Sequence, residues 1–179
     1  GILMQLRDFL SYEEIYIQCH DSPDADALAS GFGLYTYFQN HGIKTHLIYT
    51  GRFRIRKANL VLMVEKLNIP VEYVEDGTLH LTNELLLTVD SQYGAGNITK
   101  IPAEHIGIID HHQMEARNIP DSLILSDFGS CSTVVWKLLC EEQFDPNDYP
   151  DLATALYYGL YSDTQQFTEV HNPADKDMH

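Results

Sequence analysis

The sequence predicts an α/β domain, with a mainly parallel sheet flanked by helices and a ligand site at the carboxyl ends of the strands. Three observations predict it. Short β-branched and aromatic runs alternate with helically spaced stretches along the 179 residues, as in consecutive strand–helix units. No internal repeat or low-complexity tract interrupts them. Residues with useful chemistry stand directly after the apolar runs, where open parallel sheets place their ligands.

Residues 15–19 are Ile, Tyr, Ile, Gln and Cys, ending in His20 and a turn with Pro23, and they read as the first strand. Residues 25–40 carry Leu28, Phe32, Tyr35 and Phe38 at helical spacing and stop at His41-Gly42, so they read as a helix. Residues 45–49 read as the second strand. Residues 58–67 place Leu60, Val61, Val64 and Leu67 on one face of a helix. A short strand follows at 71–74. Residues 85–89 form a buried strand ending at Asp90, and 106–109 another ending at Asp110. One more strand falls at 123–125, and residues 132–140 and 150–161 read as helices.

Composition narrows the function. At 44% hydrophobic and 21% charged residues the chain is ordinary for a globular protein. Eleven Lys and Arg stand against 26 Asp and Glu, a net charge of -15. That argues against a general nucleic-acid coat, which needs a basic surface, but leaves acidic substrates open, because cations reverse the sign locally. No apolar run approaches the ~20 residues of a membrane span, and the N-terminus lacks the pattern of a signal peptide. Cys19, Cys131 and Cys140 have no metal-type pairing and read as reduced core thiols, which makes the cytoplasm the expected location.

The residues after the strands make a constellation. His20 follows the first strand, with Asp24 and Asp26 close behind. Asp90 follows the fourth strand, Asp110-His111-His112 the fifth, and Asp163 ends the last helix. Carboxylate and imidazole donors without thiolate suit a pair of hard divalent cations, Mn²⁺ or Mg²⁺. Two such ions clamp the attacking and leaving oxygens of a phosphoryl transfer and need a shared carboxylate. Each residue alone has a plainer reading. Asp24 after Pro23 is a turn residue or helix N-cap, Asp90-Ser91 a strand-ending turn, Asp110-His111-His112 surface polarity. Taken together those readings require four coincidences at element ends.

These residues resemble the DHH phosphoesterase superfamily, named for Asp-His-His, over nearly the whole chain. The motifs run in order: residues 20–30 (HDSPDADALAS), 87–90 (LTVD), 107–112 (GIIDHH), and finally 129–133 (GSCST) with 158–164 (YGLYSDT). The resemblance implies that residues 1–170 are a DHH catalytic domain, with 171–179 beginning a linker to a C-terminal domain. It implies one metal held by His20, Asp24 and Asp90, and a second held by Asp26, Asp90, His111 and Asp163, with Asp90 bridging. His112 would face the phosphate as a catalytic group and Asp110 would orient its surroundings. Ser132 and Thr133 at a helix start would either touch phosphate or simply cap the helix.

The implied activity is a two-metal phosphoesterase of the RecJ and nano-RNase type, acting on a small phosphorylated or nucleotide substrate or a short oligonucleotide. The rival reading is a non-catalytic or weakly catalytic ligand-binding DHH module. Ser91-Gln92 after Asp90 departs from the pyrophosphatases of the family, which carry a histidine there. Residues 52–57 (RFRIRK) hold four of the eleven positive charges. Cations before a helix oppose its dipole, so Arg52 and Arg54 read either as phosphate contacts or as a solvated loop face. No membrane partner is expected, and exposed sheet edges could pair two copies into a homodimer.

Overall fold

The computed structural model describes residues 4–113, 119, 121–125 and 127–163. The expected linker from 171 onward lies outside them. Among the described residues, six strands form one all-parallel sheet: β1 (Glu14–Gln18), β2 (Lys44–Tyr49), β3 (Val71–Tyr73), β4 (Leu81–Val89), β5 (Ala103–Asp110) and β6 (Asp121–Ile124). Four helices accompany them: α1 (Ala25–Asn40), α2 (Ala58–Lys66), α3 (Cys131–Glu141) and α4 (Pro150–Asp163). Two short 3-10 turns, Leu6–Phe9 and Pro146–Asp148, have no counterpart in the sequence reading.

The strands divide the molecule by their period of two. Ile15 and Ile17 of β1, Leu47 and Tyr49 of β2, and Leu85, Leu87 and Val89 of β4 pack with residues of all four helices in the main core. The alternate residues Tyr16, Ile48 and Leu86 meet Val74, Leu79, Tyr93 and Ile101 in a smaller cluster, covered by connecting segments rather than helices. Gly33 lets α1 lie close on α3, since a Cβ there would stand 2.7 Å from Val135 Cγ1. Cys19 and Cys131 are buried free thiols, whereas Cys140, expected in the core, is exposed on the outer face of α3.

The sheet order is β3-β2-β1-β4-β5-β6. The chain therefore builds outward from β1 to one edge, returns to lay β4 beside β1, then builds to the other edge. The loops leaving β1 and β4 diverge, and a crevice opens between their carboxyl ends, which is where open sheets of this kind bind ligands. His20 and Asp90 stand at those two ends.

Candidate metal centre

The loop after β1 presents the first ligand group. His20 Nδ1 lies 2.8 Å from the Asp21 carbonyl oxygen. A carbonyl only accepts, so Nδ1 carries the hydrogen and Nε2 is directed into the crevice. There it lies 3.6 Å from Asp24 Oδ1 and 3.7 Å from Asp90 Oδ2. Asp24 is also the N-cap of α1, its Oδ1 accepting the Ala27 amide at 2.9 Å. The plain capping reading and the ligand reading of Asp24 therefore hold together, because capping fixes the carboxylate without burying it.

The loop after β5 repeats the arrangement. His111 Nδ1 lies 3.4 Å from the Phe128 carbonyl oxygen, and Nε2 lies 3.1 Å from Asp90 Oδ1 and 3.9 Å from Asp26 Oδ2. Both histidines thus have one ring nitrogen turned to a backbone carbonyl and the other toward the carboxylates. That is the usual posture of a metal-binding imidazole, whose tautomer is set by the second nitrogen.

Asp90 belongs to both groups and is buried. It sits at φ 58, a left-handed conformation that costs a non-glycine residue of order 1 kcal/mol. Ser22, in the His20 loop, has φ 49. Although His111 Nε2 is near, Asp90 Oδ1 has no hydrogen-bond partner among the described residues. A buried carboxylate left this way is costly unless a cation or a proton satisfies it.

The electrostatics agree. Burial, then repulsion from Asp26 and Asp24, drives Asp90 well above the ordinary carboxylate range, and His20 and His112 offset this only in part. Burial opposes a charge on His20, but the hydrogen-bonding partners Asp24 and Asp21 and the charges of Asp24 and Asp90 outweigh it and push its pKa up to about 9. Carboxylate and imidazole donors, an orphaned buried oxygen and pre-set tautomers together fit a hard divalent ion.

Asp26 is held from the opposite side. The amides of Cys131 and Ser132, at the start of α3, donate to its two oxygens at 2.9 and 2.8 Å, and Ser132 Oγ donates at 2.5 Å. Ser132 and Thr133, expected either to touch phosphate or to cap, are both buried. Thr133 Oγ1 pairs with Ser130 Oγ at 2.8 Å, and Ser130 is the actual N-cap. Ser132 thus supports Asp26, and Thr133 the start of α3. Asp163 ends α4, but its side chain lies outside the described residues. The α4 backbone does reach the site at Gly159, where an added Cβ would collide with Ser132 Oγ and lie 3.2 Å from Asp26 Cα.

Asp110 and His112 pair with each other inside the same cluster, their ligand atoms lying with those of Asp90 and His111 within 4.8 Å of one another. His112 Nδ1 donates to Asp110 Oδ1 at 2.7 Å, while the His111 amide and Gln92 Nε2 also donate to the buried Asp110 carboxylate. Burial alone would raise Asp110, but these donors hold it below its ordinary value. The Asp110 bond in turn raises His112, against its partial burial. His112 and Asp110 border a cavity of about 290 Å³ with Ser91, Gln92 and Asn97. Gln92, which the sequence showed only as a departure from a family pattern, is thus a buried support of Asp110. Asp21 was also missed. It accepts the Thr99 amide and hydroxyl at 3.0 and 2.6 Å and fastens the segment after β4 to the His20 loop. Its place inside the first motif was the signal available.

A family model described as "DHH family, N-terminal domain" matches residues 14–160. The chain belongs to the DHH family. A probable manganese-dependent inorganic pyrophosphatase of Streptococcus thermophilus is 29% identical over 156 residues, 84% of this chain and 48% of that protein. An uncharacterised protein of Methanocaldococcus jannaschii is 29% identical over 162 residues, 90% of this chain and 32% of its own length. This DHH chain therefore spans less than half the length of those relatives. Among solved structures, an exopolyphosphatase-related protein from Bacteroides fragilis shares the fold at TM-score 0.69 and 19% identity, covering 96% of this chain and 53% of that one. Among the described residues, no helix is long and apolar enough to cross a membrane.

Proposed function

We propose that this DHH protein is a divalent-metal-dependent phosphoesterase that hydrolyses a phosphoester bond of a small nucleotide or short oligonucleotide by a two-metal mechanism. One observation carries the reading: the buried Asp90 carboxylate lies between two imidazoles from different loops, with His20 Nε2 near one oxygen and His111 Nε2 near the other. That placement is what a carboxylate shared by two cations requires.

His20, Asp24 and Asp90 would hold one cation, and Asp26, Asp90, His111 and Asp163 the other. Mn²⁺ or Mg²⁺ would supply Lewis acidity toward the phosphoryl oxygens and activate water for attack. The chain's own residues do the rest. Asp21 and Phe128 carbonyls orient the imidazoles, and the α3 amides with Ser132 fix Asp26. Asp110 holds the proton on His112 Nδ1, which leaves Nε2 to donate a proton to the departing oxygen at the edge of the cavity. Arg54 stands at the opposite side, in a cleft that Asp24 also borders. Arg52 is turned to Phe53, 6.0 Å from its ring, and does not border that cleft.

The test is Mn²⁺-dependent hydrolysis of bis-p-nitrophenyl phosphate by the full-length protein, followed by a panel of di- to pentanucleotides, phosphoadenosine phosphate, cyclic-di-AMP, pyrophosphate and polyphosphate. Turnover lost with Asp90→Ala supports the proposal. No turnover of any substrate by the unmodified protein returns the chain to the ligand-binding reading.

A further inference from the structure

The basic segment at residues 52–57 is a built wall, not a loose loop. Tyr73 Oη donates to the Gly51 carbonyl at 2.6 Å, and the Ile55 amide donates to Tyr49 Oη at 2.8 Å. Two phenols from neighbouring strands thus pin the segment on either side of Arg52, Phe53 and Arg54. Gly51, at φ 107, fits against Asp21, and a Cβ there would lie 2.9 Å from the Asp21 side chain. That contact ties the segment to the loop that carries His20 and Asp24.

Its charges have no internal use that the fold explains. The chain carries 26 acidic residues, yet among the described residues no carboxylate pairs with Arg52, Arg54, Arg56 or Lys57. The guanidinium groups lie instead over rings, Arg54 4.7 Å from the Tyr73 centroid and Arg56 4.4 Å from that of Phe53. Stacking holds a guanidinium in place and leaves its N–H edge free for a planar or tetrahedral anion. Lys57 is the N-cap of α2 without any capping bond, and the first turn of α2 has no acidic residue. Four cations at that helix end oppose its dipole, so local stability does not account for them.

Between this segment and the His20 loop lies a cleft of about 180 Å³, bordered by Ser22, Asp24, Phe53, Arg54, Arg56 and Lys57. One wall is the proposed metal ligand Asp24, the other is cationic, and Phe53 stands 49% exposed. We propose that this cleft binds the second, non-scissile phosphate of a substrate with two nucleotide units, with Phe53 as the stacking surface for its base. The inference rests on the phosphoesterase reading for the scissile phosphate. It adds that the substrate carries at least two phosphates and a base.

The experiment separates the two. 5′-Phosphorylated diadenylate and tripolyphosphate are titrated calorimetrically into the full-length protein in EDTA at about 50 mM salt, where no metal-dependent turnover occurs. The unmodified protein should bind both. Arg54→Ala/Arg56→Ala should weaken both by about tenfold or more. Lys137→Ala, which removes a cation of α3 paired with Glu141, should leave both unchanged. Phe53→Ala should weaken diadenylate alone. Circular dichroism checks each fold, and Lys57→Gln, at an exposed position, serves if the double variant is unstable. Absence of binding, equal binding by the double variant, or an equal loss with Lys137→Ala overturns the subsite. A Phe53→Ala change that affects both ligands alike, or neither, overturns the nucleotide assignment. Failure of Mn²⁺-dependent hydrolysis would instead strike the phosphoesterase reading, and is measured separately.

Discussion

Ser132 gives both its backbone amide and its hydroxyl to one oxygen of Asp26, at 2.8 and 2.5 Å. A residue placed by sequence at the substrate is thereby tied to a proposed metal ligand more than a hundred positions away in the chain. Ser132→Ala keeps the amide bond and removes the hydroxyl bond. It should cost about 1.5–3 kcal/mol in unfolding free energy, a typical loss for a hydrogen bond to a charged group. It should also weaken Mn²⁺ binding by about tenfold, as for other residues that orient ligands. Denaturant unfolding and metal titration measure the two effects. Full retention of both would show that the amides alone hold Asp26.

Gly159 gives a packing prediction of unusual sign. In a helix interior, Gly→Ala ordinarily gains about 1 kcal/mol. Here the new methyl would collide with Ser132 Oγ and press on Ala29 and Asp26. Gly159→Ala should therefore lower the thermal midpoint and reduce metal affinity together. A raised midpoint would mean that α4 can withdraw without cost.

Asp90 should oppose stability in the metal-free protein. Its buried charge faces Asp26 and Asp24, and its pKa is raised. Asp90→Asn removes the charge at nearly constant shape. The metal-free midpoint should rise by roughly 2–4 °C for each kcal/mol relieved, while the further rise on adding Mn²⁺ should disappear. A lower metal-free midpoint would show that the histidines already satisfy this carboxylate.

The Asp110–His112 bond sets a direction for pH. Asp110 stabilises the protonated ring, so the midpoint of His112 lies above that of an ordinary histidine. Asp110→Asn removes this support, and His112 should then lose its proton at lower pH. Histidine resonances in an NMR titration of the metal-free protein report this directly, and an unmoved midpoint would refute the pairing.

Much of this was legible in the sequence because each motif residue sits at an element boundary. The Ile-Tyr-Ile run before His20, and the apolar runs before Asp90 and Asp110, announce strands. A parallel sheet then brings their carboxyl ends together without knowledge of any side-chain contact. Asp24 was readable as both cap and ligand; it caps α1, and its carboxylate stands with His20 and Asp90. What sequence could not supply was direction. Ser132 and Thr133 read as helix-start hydroxyls that either contact phosphate or cap, but α3 begins one residue earlier, with Ser130 as its cap, and both are buried. Gln92 read only as a departure from a family pattern, yet the segment after β4 folds back and brings it 3.0 Å from Asp110. Arg52 and Arg54 were indistinguishable as letters. Only the ring beneath each, Phe53 or Tyr73, separates the one outside the cleft from the one inside.

The central claim is that Asp90 is shared by two cations, and Mn²⁺ stoichiometry tests it most directly. Calorimetric titration of metal-free protein, compared with its Asp90→Ala variant, reads the number of ions bound. The two-metal proposal predicts two Mn²⁺ per chain in the unmodified protein and loss of tight binding at both sites when Asp90 is removed. A single ion in the unmodified protein, or two ions still tightly bound after Asp90→Ala, would contradict it.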